Sequence, residues 1–446
     1  MAMAGYAVDM ETVLRGGQVV SGDSGGPQST AIRADVHIKK GHIEAILKPG
    51  TPVEGATDCD VQGLWLTAGF VQGHTHLVQT LFRGMADDLA LLDWLRTKIW
   101  PLEAAHDEES TYWSARLGLT EMLLGGTSAI LDMASVKHTD SIFRAAEEAG
   151  IRAFIGKAMM DRENEAGLSE PTEKSLQTSC DLRDKWHKKG LLHYAFAPRF
   201  VPSCSEELLT ETVREARKHG CLLHSHASEN LDEVALVRSM TGMDNIVYLD
   251  SIGFSGPDVV LAHCIHLTPE EVSILHRTQT IAAHCPGSNF KLGSGVAGIP
   301  ELLSAGVPVI LGSDGSPCNN RMDIFAEMRL AALMQKPRLG PASMQATQVF
   351  EMATLGGAKA LGIQGGELLP GKVADIVAID PHQAHSWGGG SPAGAIVYAC
   401  TPSNVRHVWI DGHQIVANQT LSAWSLEDTL QGCRESLDRV RKRAGL

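Results

Sequence analysis

The amino-acid sequence predicts an α/β protein in which a (β/α)8 TIM barrel carries a small β-sandwich formed from both the N- and C-terminal segments. In the middle of the chain, short apolar runs alternate with longer helical patterns, which is typical of parallel strands joined by crossover helices. These runs are apolar almost without interruption, as expected for strands buried on both faces. β-rich segments stand on either side of this middle part, so we expect them to pair with each other.

Eight units of the alternation suggest that the barrel closes on itself. The helical stretches between the runs include "EESTYWSARLGLTEMLLGG", "SEELLTETVREARKHG" and "RMDIFAEMRLAALMQK". The strand candidates, in chain order, are "GFVQGHTH", "TSAILDM", "RAFIGKAM", "HYAFAPRF", "CLLHSHAS", "VVLAHCIH", "TIAAHCPGS" and "PVILGSDGS".

Turn signals divide the two flanking segments into short strands. Gly16-Gly17 and Lys40-Gly41 separate N-terminal runs, and Asp411-Gly412 is a strong hairpin signal near the other end. The C-terminal runs are "GKVADIVAID", "AIVYAC" and "VRHVWIDGHQIVA", and the last residues carry charges at helical spacing. The predicted division is 1–68 and 365–424 for the two parts of the sandwich, 69–364 for the barrel, and 425–446 for a C-terminal surface helix.

Charge and composition argue against several classes of protein. The chain of 446 residues has a net charge of −14, whereas a nucleic-acid binder normally shows a basic patch. No apolar run approaches the ~18 residues of a membrane span, and the start, "MAMAGYAVDMETVL", lacks the pattern of a secretion signal. The 9 cysteines include no CxxC pair, which favours reduced thiols. We therefore expect a cytoplasmic protein with a small-molecule substrate and neither nucleic acid nor membrane as a partner.

Two histidines, His74 and His76, stand two residues apart at the end of the first predicted strand. Alternate residues of a strand face the same side, so both rings can reach one metal ion. A single histidine on an apolar face is usually a core residue with one hydrogen bond. From this stretch alone, the metal and core interpretations stay equally open.

Polar residues recur at the carboxyl ends of the predicted strands. In a (β/α)8 barrel, this is the end at which sites are built. Chance placement would have to explain each of these residues separately. They are His74, His76, Arg199, His226, His263, His284 and Asp314.

The fifth predicted strand, "CLLHSHAS", supplies the third candidate ligand. His226 lies nearer the carboxyl end of this strand. His224 faces the same side but lies one layer deeper, where a core histidine is the better interpretation. Glu229 follows His226 by three residues and falls in the loop over the barrel mouth.

The sixth and eighth predicted strands complete the set. His263 in "AHCIH" is placed to face inward, whereas His266 is better interpreted as a loop or helix-start residue. Asp314 in "LGSDGS" is flanked by Gly312 and Gly315, which allow a carboxylate to approach a metal closely. Alone, Asp314 would be interpreted as the start of a turn. Beside three histidines, it is better interpreted as a fourth ligand.

Three histidines and one aspartate form a donor set for one divalent metal ion. Histidine nitrogens with a carboxylate suit Zn²⁺, with Fe²⁺ as the main competitor. Three or four protein ligands leave room for a water, whose pKa the metal lowers toward neutrality. Glu229 and His263 are then the candidates for proton transfer.

These motifs resemble the amidohydrolase superfamily, in its deaminase branch with one metal ion. The order HxH, HxxE, AHC and SD extends over almost the whole chain, and "GKVADIVAID" matches as well. Branches with two metals typically place a carboxylated lysine at the end of strand four, where this chain has Arg199; Lys157 lies on strand three. One departure is Ala68, where the family often has proline, and we expect it to affect only the entry to the strand.

The resemblance implies a hydrolytic deaminase that replaces the exocyclic amine of an aromatic ring by a carbonyl. Asp314 would take a proton from the metal-bound water, and His263 would orient and polarise the hydroxide. Glu229 would protonate a ring nitrogen and then help ammonia to leave. The metal ligands implied are His74, His76, His226 and Asp314.

The loop after the first strand, "HLVQTLFRGMADDLALLDWLRTKIWPLEA", resembles that of purine-related deaminases. Trp94 is equally well interpreted as a substrate-stacking residue or as helix packing. Glu103 matches a glutamate that holds ribose hydroxyls in adenosine-type enzymes, but guanine deaminases carry it too. Gln79 and Arg199 resemble the base-reading pair of guanine deaminases, whereas the overall match slightly favours enzymes acting on 5'-deoxyadenosine, methylthioadenosine and adenosylhomocysteine.

Other classes of function stay open or fail on the sequence. An s-triazine hydrolase uses the same scaffold and stays open, as does a non-catalytic relative, although no ligand is lost here. A cytidine-deaminase-like zinc site needs HxE and PCxxC; "HIE" at His42 lies in a predicted hairpin, and "SPCNNR" at Cys318 has no second cysteine. Homo-oligomers are common in the superfamily, but nothing in the sequence determines the oligomeric state.

Overall fold

The structure is a computed structural model that describes residues 11–21 and 29–445. The expectation about a secretion signal concerns mainly residues 1–10, which lie outside the described residues. Within the described residues, twenty strands form three sheets. The strands are β1 (Glu11–Arg15), β2 (Gln18–Ser21), β3 (Thr30–Arg33), β4 (Asp35–Lys39), β5 (His42–Leu47), β6 (Thr57–Asp60), β7 (Trp65–Ala68), β8 (Phe70–Thr75), β9 (Thr127–Met133), β10 (Arg152–Gly156), β11 (Ala158–Met159), β12 (Leu192–Pro198), β13 (Leu222–Ala227), β14 (Val259–His263), β15 (Ile281–His284), β16 (Val309–Leu311), β17 (Ile376–Ile379), β18 (Val405–Ile410), β19 (His413–Ala417) and β20 (Thr420–Leu421).

Most of the longer helices follow or precede barrel strands, as the sequence predicts. A π-helical turn, Leu95–Ile99, joins the first two helices, and 3-10 turns cover Leu77–Phe82, Val201–Ser203 and Pro402–Asn404. The helices are α1 (Leu91–Trp94), α2 (Trp100–Ala104), α3 (Glu108–Leu124), α4 (Thr139–Ala149), α5 (Thr172–Trp186), α6 (Glu206–His219), α7 (Leu231–Thr241), α8 (Asn245–Ser251), α9 (Pro269–Thr278), α10 (Pro286–Lys291), α11 (Ile299–Ser304), α12 (Ser316–Asn319), α13 (Ile324–Met334), α14 (Lys336–Leu339), α15 (Ala346–Ala353), α16 (Leu355–Ala360), α17 (Pro392–Tyr398) and α18 (Leu426–Ala444).

Eight parallel strands form the barrel, which confirms the predicted fold. They lie in the order β8, β9, β10, β12, β13, β14, β15 and β16, and the short β11 pairs with β12 off this path. A bridge between Thr75 and Asp314 brings the last strand back to the first. Apolar side chains fill the barrel interior below the mouth, so it is a packed core. This core includes Val71, Leu131, Phe154, Val260 and Ile310.

Local sequence determines where the barrel helices begin. Asp107 caps α3 by accepting a hydrogen bond from the Ser110 amide, which satisfies one of the free N–H groups of the first turn. Thr268 and Glu271 form a capping box at the start of α9.

The N- and C-terminal segments pair in one sheet, as predicted. The seven-stranded sheet has the order β20-β19-β18-β17-β7-β2-β3, so the N-terminal β7 lies beside the C-terminal β17. A second sheet, β5-β4-β1-β6, shares a buried apolar cluster with it that includes Leu14, Ile38, Leu66 and Trp409. The Asp411-Gly412 pair joins β18 to β19 with both residues at positive φ, which confirms the hairpin. The predicted domain boundaries stay predictions.

One predicted β-run is wrong. "AIVYAC" lies in helix α17 (Pro392–Tyr398) instead of a strand. The side chain of Ser391 accepts a hydrogen bond from the Gly394 amide, and Pro392 occupies the first turn. A short apolar run is compatible with either structure, and here the serine cap and the proline favour the helix.

The C-terminal charged segment forms the long helix α18, as predicted. Ser425 caps it, and it packs against α3 at Gly432, where an added Cβ would lie 2.3 Å from the ring of Trp113. Within the described part of the chain, no helix combines the length and apolar character needed to cross a membrane.

Candidate metal centre at the barrel mouth

Three barrel strands deliver polar side chains to one point at the mouth. His74 lies near the end of β8 and His76 follows it, while His226 lies near the end of β13. Asp314 follows β16 and forms the closing bridge with Thr75. One carboxylate oxygen of Asp314 lies 3.3 Å from Nε2 of His74 and 3.4 Å from Nε2 of His76.

The ring orientations leave the Nε2 atoms of His76 and His226 without hydrogens. Nδ1–H of His76 donates to the carbonyl of Met133 at 2.8 Å, and Nδ1–H of His226 donates to the carbonyl of Arg199 at 2.7 Å. A neutral imidazole carries one N–H, so both Nε2 atoms present lone pairs. These two Nε2 atoms lie 3.2 Å apart, where neither can donate to the other.

The ring of the third histidine, His74, is also held through its Nδ1, but by a side chain instead of a backbone carbonyl. Nδ1 of His74 lies 2.8 Å from Nε2 of His224, whose own Nδ1 lies 3.0 Å from the carbonyl of Val260. Nε2 of His74 is buried and has no hydrogen-bond partner among the described residues. Converging lone pairs and an orphaned buried nitrogen are the donor arrangement of a cation site. The residues present therefore fit a divalent metal ion.

Electrostatics keep these groups in the form that binds a metal. Burial, reinforced by the neighbouring His74, lowers the pKa of His76 to about 4. Burial also places the pKa of His226 well below its ordinary value, so both rings are neutral near pH 7. Burial opposes ionisation of Asp314, but the surrounding imidazoles outweigh it and hold the pKa of this carboxyl well below its usual range.

Glu229 and His263 lie beside the same point. Nε2 of His263 is 3.4 Å from a carboxylate oxygen of Glu229 and 3.7 Å from the second oxygen of Asp314. Burial raises the pKa of Glu229 to about 7. Burial would lower the pKa of His263, but the carboxylates of Glu229 and Asp314 outweigh it, so this pKa lies above its ordinary value. Two titratable groups with raised pKa values therefore face one space.

Strained backbone positions support this mouth. Ser228, His263, Cys264 and Asp314 all adopt positive φ, which side chains other than glycine rarely do. Gly312 has no side chain where a Cβ would lie 2.7 Å from the His74 carbonyl oxygen. The end of β16 can thus approach β8 closely enough for Asp314 to reach the histidines.

The proposed base-reading residues form a separate buried cluster. Nη1 of Arg199 lies 2.7 Å from Oε2 of Glu103, and Nη2 lies 3.2 Å from Oε1. Gln79 donates to the same Oε1 at 2.8 Å. Arg199 lines the cleft over the metal centre, whereas Gln79 and Glu103 lie behind it.

The cleft itself is small and largely apolar. Trp94 forms part of its wall together with Leu91, Leu95, Phe200 and Leu292. Trp94 is buried, and its indole N–H has no partner among the described residues. Trp94 therefore both packs in the helix and faces the cleft.

The structure brings most of the predicted site residues together and leaves apart one strand-end histidine, His284, as well as His266, which lies in a loop as expected. Nε2–H of His266 donates to the carbonyl of Ser294, and His284 is buried and does not line the cleft. Asn289 is a further residue of the site, whose Oδ1 lies 2.9 Å from Nδ1 of His263. No sequence signal would have found Asn289, because it lies on α10, 26 residues from His263, and meets it only in the fold.

A (β/α)8 barrel with this donor set at its mouth defines the class of metal-dependent hydrolases. The sequence pattern of the Amidohydrolase family matches residues 65–415. The chain belongs to the amidohydrolase family.

Two relatives match over nearly the whole chain. The chain is 38% identical to the 5'-deoxyadenosine deaminase of Methanothermobacter thermautotrophicus over 93% of this chain and 95% of that protein. It is 37% identical to the 5-methylthioadenosine/S-adenosylhomocysteine deaminase of Thermococcus onnurineus over 92% and 95%.

Solved structures of three activities share the fold. An adenosine deaminase from Xanthomonas campestris with bound zinc has a TM-score of 0.90 at 28% identity, covering 97% of this chain and 99% of its own. The atrazine chlorohydrolase of Arthrobacter aurescens complexed with zinc has a TM-score of 0.89 at 25% identity, covering 96% and 100%. A guanine deaminase from C. acetobutylicum with bound guanine has a TM-score of 0.83 at 25% identity, covering 91% and 99%.

Proposed function

We propose that this protein is a metal-dependent aminohydrolase that replaces the exocyclic amine of an aminopurine substrate by a carbonyl. Adenosine-type nucleosides, namely 5'-deoxyadenosine, methylthioadenosine and S-adenosylhomocysteine, are the preferred substrates. The observation that carries the proposal is the convergence of His74, His76, His226 and Asp314 on one point that Glu229 and His263 also face. The 37–38% identity to deaminases of such nucleosides supports the substrate class.

One divalent ion would be held by His74, His76, His226 and Asp314. Three nitrogens and one carboxylate favour Zn²⁺, with Fe²⁺ as the alternative. When bound, such an ion supplies a hydroxide-like nucleophile at neutral pH by lowering the pKa of a coordinated water.

The residue at the end of the fourth barrel strand, β12, is compatible with a site for one metal ion. The residue that follows β12 is Arg199, which cannot be carboxylated as the bridging lysine of two-metal sites is. Lys157 lies after β10, and its ammonium binds the carboxylate of Glu170 at 2.5 Å. That ion pair keeps Lys157 away from the centre.

Glu229 would act as the proton donor to the substrate ring. An aromatic amidine carbon is a poor electrophile until a neighbouring ring nitrogen is protonated. With a pKa raised by burial to about 7, Glu229 can hold a proton near neutral pH and release it to that nitrogen. Glu229 is then a carboxylate, which can take the hydroxyl proton of the added nucleophile as the carbonyl forms and pass this proton to the departing amine.

His263 and Asp314 would manage the proton of the nucleophile. Oδ2 of Asp314 faces His263 at 3.7 Å, while Oδ1 faces His74 and His76. Asp314 therefore has one oxygen directed at the ligands and one available to accept a proton. His263, held by Asn289, would orient and polarise the attacking group.

The most informative experiment measures ammonia release from a substrate panel by the purified enzyme with its metal content determined. The panel contains 5'-deoxyadenosine, methylthioadenosine, S-adenosylhomocysteine, adenosine, guanine and an aminotriazine. We expect one divalent ion per chain and the highest kcat/KM with a 5'-substituted adenosine. Metal-free protein with no turnover of any of these compounds would contradict the proposal.

Guanine is the second candidate substrate, because Gln79 and Arg199 resemble the base-reading pair of guanine deaminases and lie in one cluster. The bidentate pair with Glu103 occupies the fork of Arg199, so guanine would have to use its remaining N–H groups. If guanine is read here, Arg199→Ala raises KM for guanine strongly and spares kcat. Arg214→Ala, an exposed arginine on α6, is the matched control.

A triazine hydrolase is the third candidate, since the atrazine chlorohydrolase shares the fold. The aminotriazine arm of the panel separates it from the purine deaminases. If kcat/KM is higher for the aminotriazine than for every purine, the result would favour a triazine hydrolase over a purine deaminase.

A further inference from the structure

The three candidate histidine ligands differ in what holds their rings. His76 and His226 donate to backbone carbonyls, at 2.8 and 2.7 Å. A carbonyl of the main chain is present whatever side chain the residue carries. His74 instead contacts a side chain, that of His224, at 2.8 Å. The orientation of one ligand therefore depends on a residue that substitution can remove.

The hydrogens along this chain can be assigned from its far end. The carbonyl of Val260 can only accept, so Nδ1 of His224 carries the hydrogen at 3.0 Å. His224 is completely buried, which disfavours the charged ring. Its Nε2 must then be an acceptor, and Nδ1 of His74 must be the donor. As a result, Nε2 of His74 presents its lone pair to the metal position.

We infer that His224 is a positioning residue of the metal centre, which fixes the tautomer and the ring orientation of His74 by accepting its Nδ1–H. The inference rests on the metal site proposed above. It concerns a histidine that the sequence alone presents as core packing. The two rings lie with centroids 4.9 Å apart and planes at 67°, so the contact is edge-on and directional.

Loss of the acceptor has a defined consequence. Without it, Nδ1–H of His74 would be a buried donor with no partner, which costs free energy. The ring would recover that free energy by rotating or by moving its hydrogen to Nε2, and either change withdraws the lone pair. Partners of this kind typically change metal affinity by about 10–100-fold.

Two substitutions of similar volume separate the acceptor from simple packing. In His224→Gln, the amide oxygen can reach the place of Nε2 and accept from His74. In His224→Asn, the shorter amide can donate to the carbonyl of Val260 but cannot reach His74. Both variants keep a polar side chain, so they differ mainly in the contact with His74.

The experiment measures the zinc dissociation constant of each full-length variant by competition with a chromophoric chelator. We expect His224→Gln to stay within about threefold of the wild type and His224→Asn to bind zinc about 10–100-fold more weakly. Equal affinities of the two variants, whether both strong or both weak, would overturn the inference. Circular dichroism and thermal melting establish that each variant is folded.

A measurement on the unmodified protein keeps the inference testable if a variant does not fold. Ring ¹⁵N chemical shifts of the metal-free wild type report which nitrogen carries hydrogen. We expect the Nδ1–H form at both His74 and His224, and the Nε2–H form at His74 would overturn the inference. Failure of the wild type to bind any divalent metal would instead count against the proposed function, which separates the two.

Discussion

Buried charged groups are arranged differently in the candidate metal cluster at the mouth and in the ion pair at the floor of the barrel. At the mouth, imidazoles and carboxylates converge with lone pairs facing each other, and Nε2 of His74 has no partner among the described residues. At the floor, beside the sandwich, Arg152 and Asp375 form two hydrogen bonds, at 2.9 and 3.1 Å. The backbone amide of Asp411 donates to the same carboxylate at 2.7 Å, so this buried pair is well satisfied.

Backbone conformation shows the same contrast. Ser228, His263, Cys264 and Asp314 adopt positive φ at the mouth. At the floor, Arg152 lies in the regular strand β10, and Asp411, in its hairpin turn, is the residue of this cluster with positive φ. Strain and unsatisfied groups persist only where the surrounding structure enforces them, and they cluster at functional sites. The comparison predicts that changes at the mouth abolish function and spare stability, while changes at the floor do the reverse.

The largest effect is expected from His226→Ala at the mouth. Removing one of three converging imidazoles should release the metal and reduce kcat/KM by at least about 10³-fold, since metal-ion catalysis contributes several kcal/mol. Metal analysis and ammonia-release kinetics measure both effects. Retention of full metal content and turnover would show that His226 is not a ligand and that function does not depend on this residue of the mouth.

Glu229→Gln should reduce kcat by about 10²–10⁴-fold, the range for loss of a general acid. The metal should stay bound, because Glu229 is not among the proposed ligands. Thermal melting of the metal-free protein should show no loss of stability, since an amide of the same size replaces a buried carboxyl. A Tm much lower than that of the wild type would show that Glu229 at the mouth contributes to stability.

Arg152→Ala at the floor should lower the free energy of unfolding by about 3–5 kcal/mol, because it leaves the Asp375 carboxylate buried without its partner. The kcat of the folded protein should change little, since Arg152 lies at the end of the barrel opposite the metal centre. Denaturant unfolding and kinetics on the same preparation measure the two quantities. A large fall in kcat with an unchanged free energy of unfolding would show that this ion pair supports function and not stability.

Arg217→Ala is the matched control at the same end and should have the smallest effect. Arg217 pairs with Asp258 at 2.9 Å, and both side chains are partly exposed to solvent. Exposed ion pairs contribute at most about 1 kcal/mol, and salt screens them. An effect as large as that of Arg152→Ala would show that burial is not what distinguishes the two pairs.

Much of the site could be predicted because its residues occupy the ends of strongly apolar strands. The runs around His74, His226, His263 and Asp314 are short, and each polar residue marks where a strand leaves the core. The run "AIVYAC" shows the limit of this reasoning, since its apolar pattern fits a helix equally well. Asn289 shows another limit, because its contact with His263 depends on how α10 packs over the mouth.

By itself, the sequence determined the alternation of strands and helices, the pairing of the two ends of the chain, and the residue types gathered at the barrel mouth. Those follow from local periodicity and from the rule that parallel strands end at one face. The orientation of each imidazole ring toward the centre becomes visible in the folded structure alone. The same holds for the contact between Arg199 and Glu103. The physical reason is that hydrogen-bond direction depends on partners far apart in the chain, such as His74 and His224. Strand periodicity says nothing about these partners.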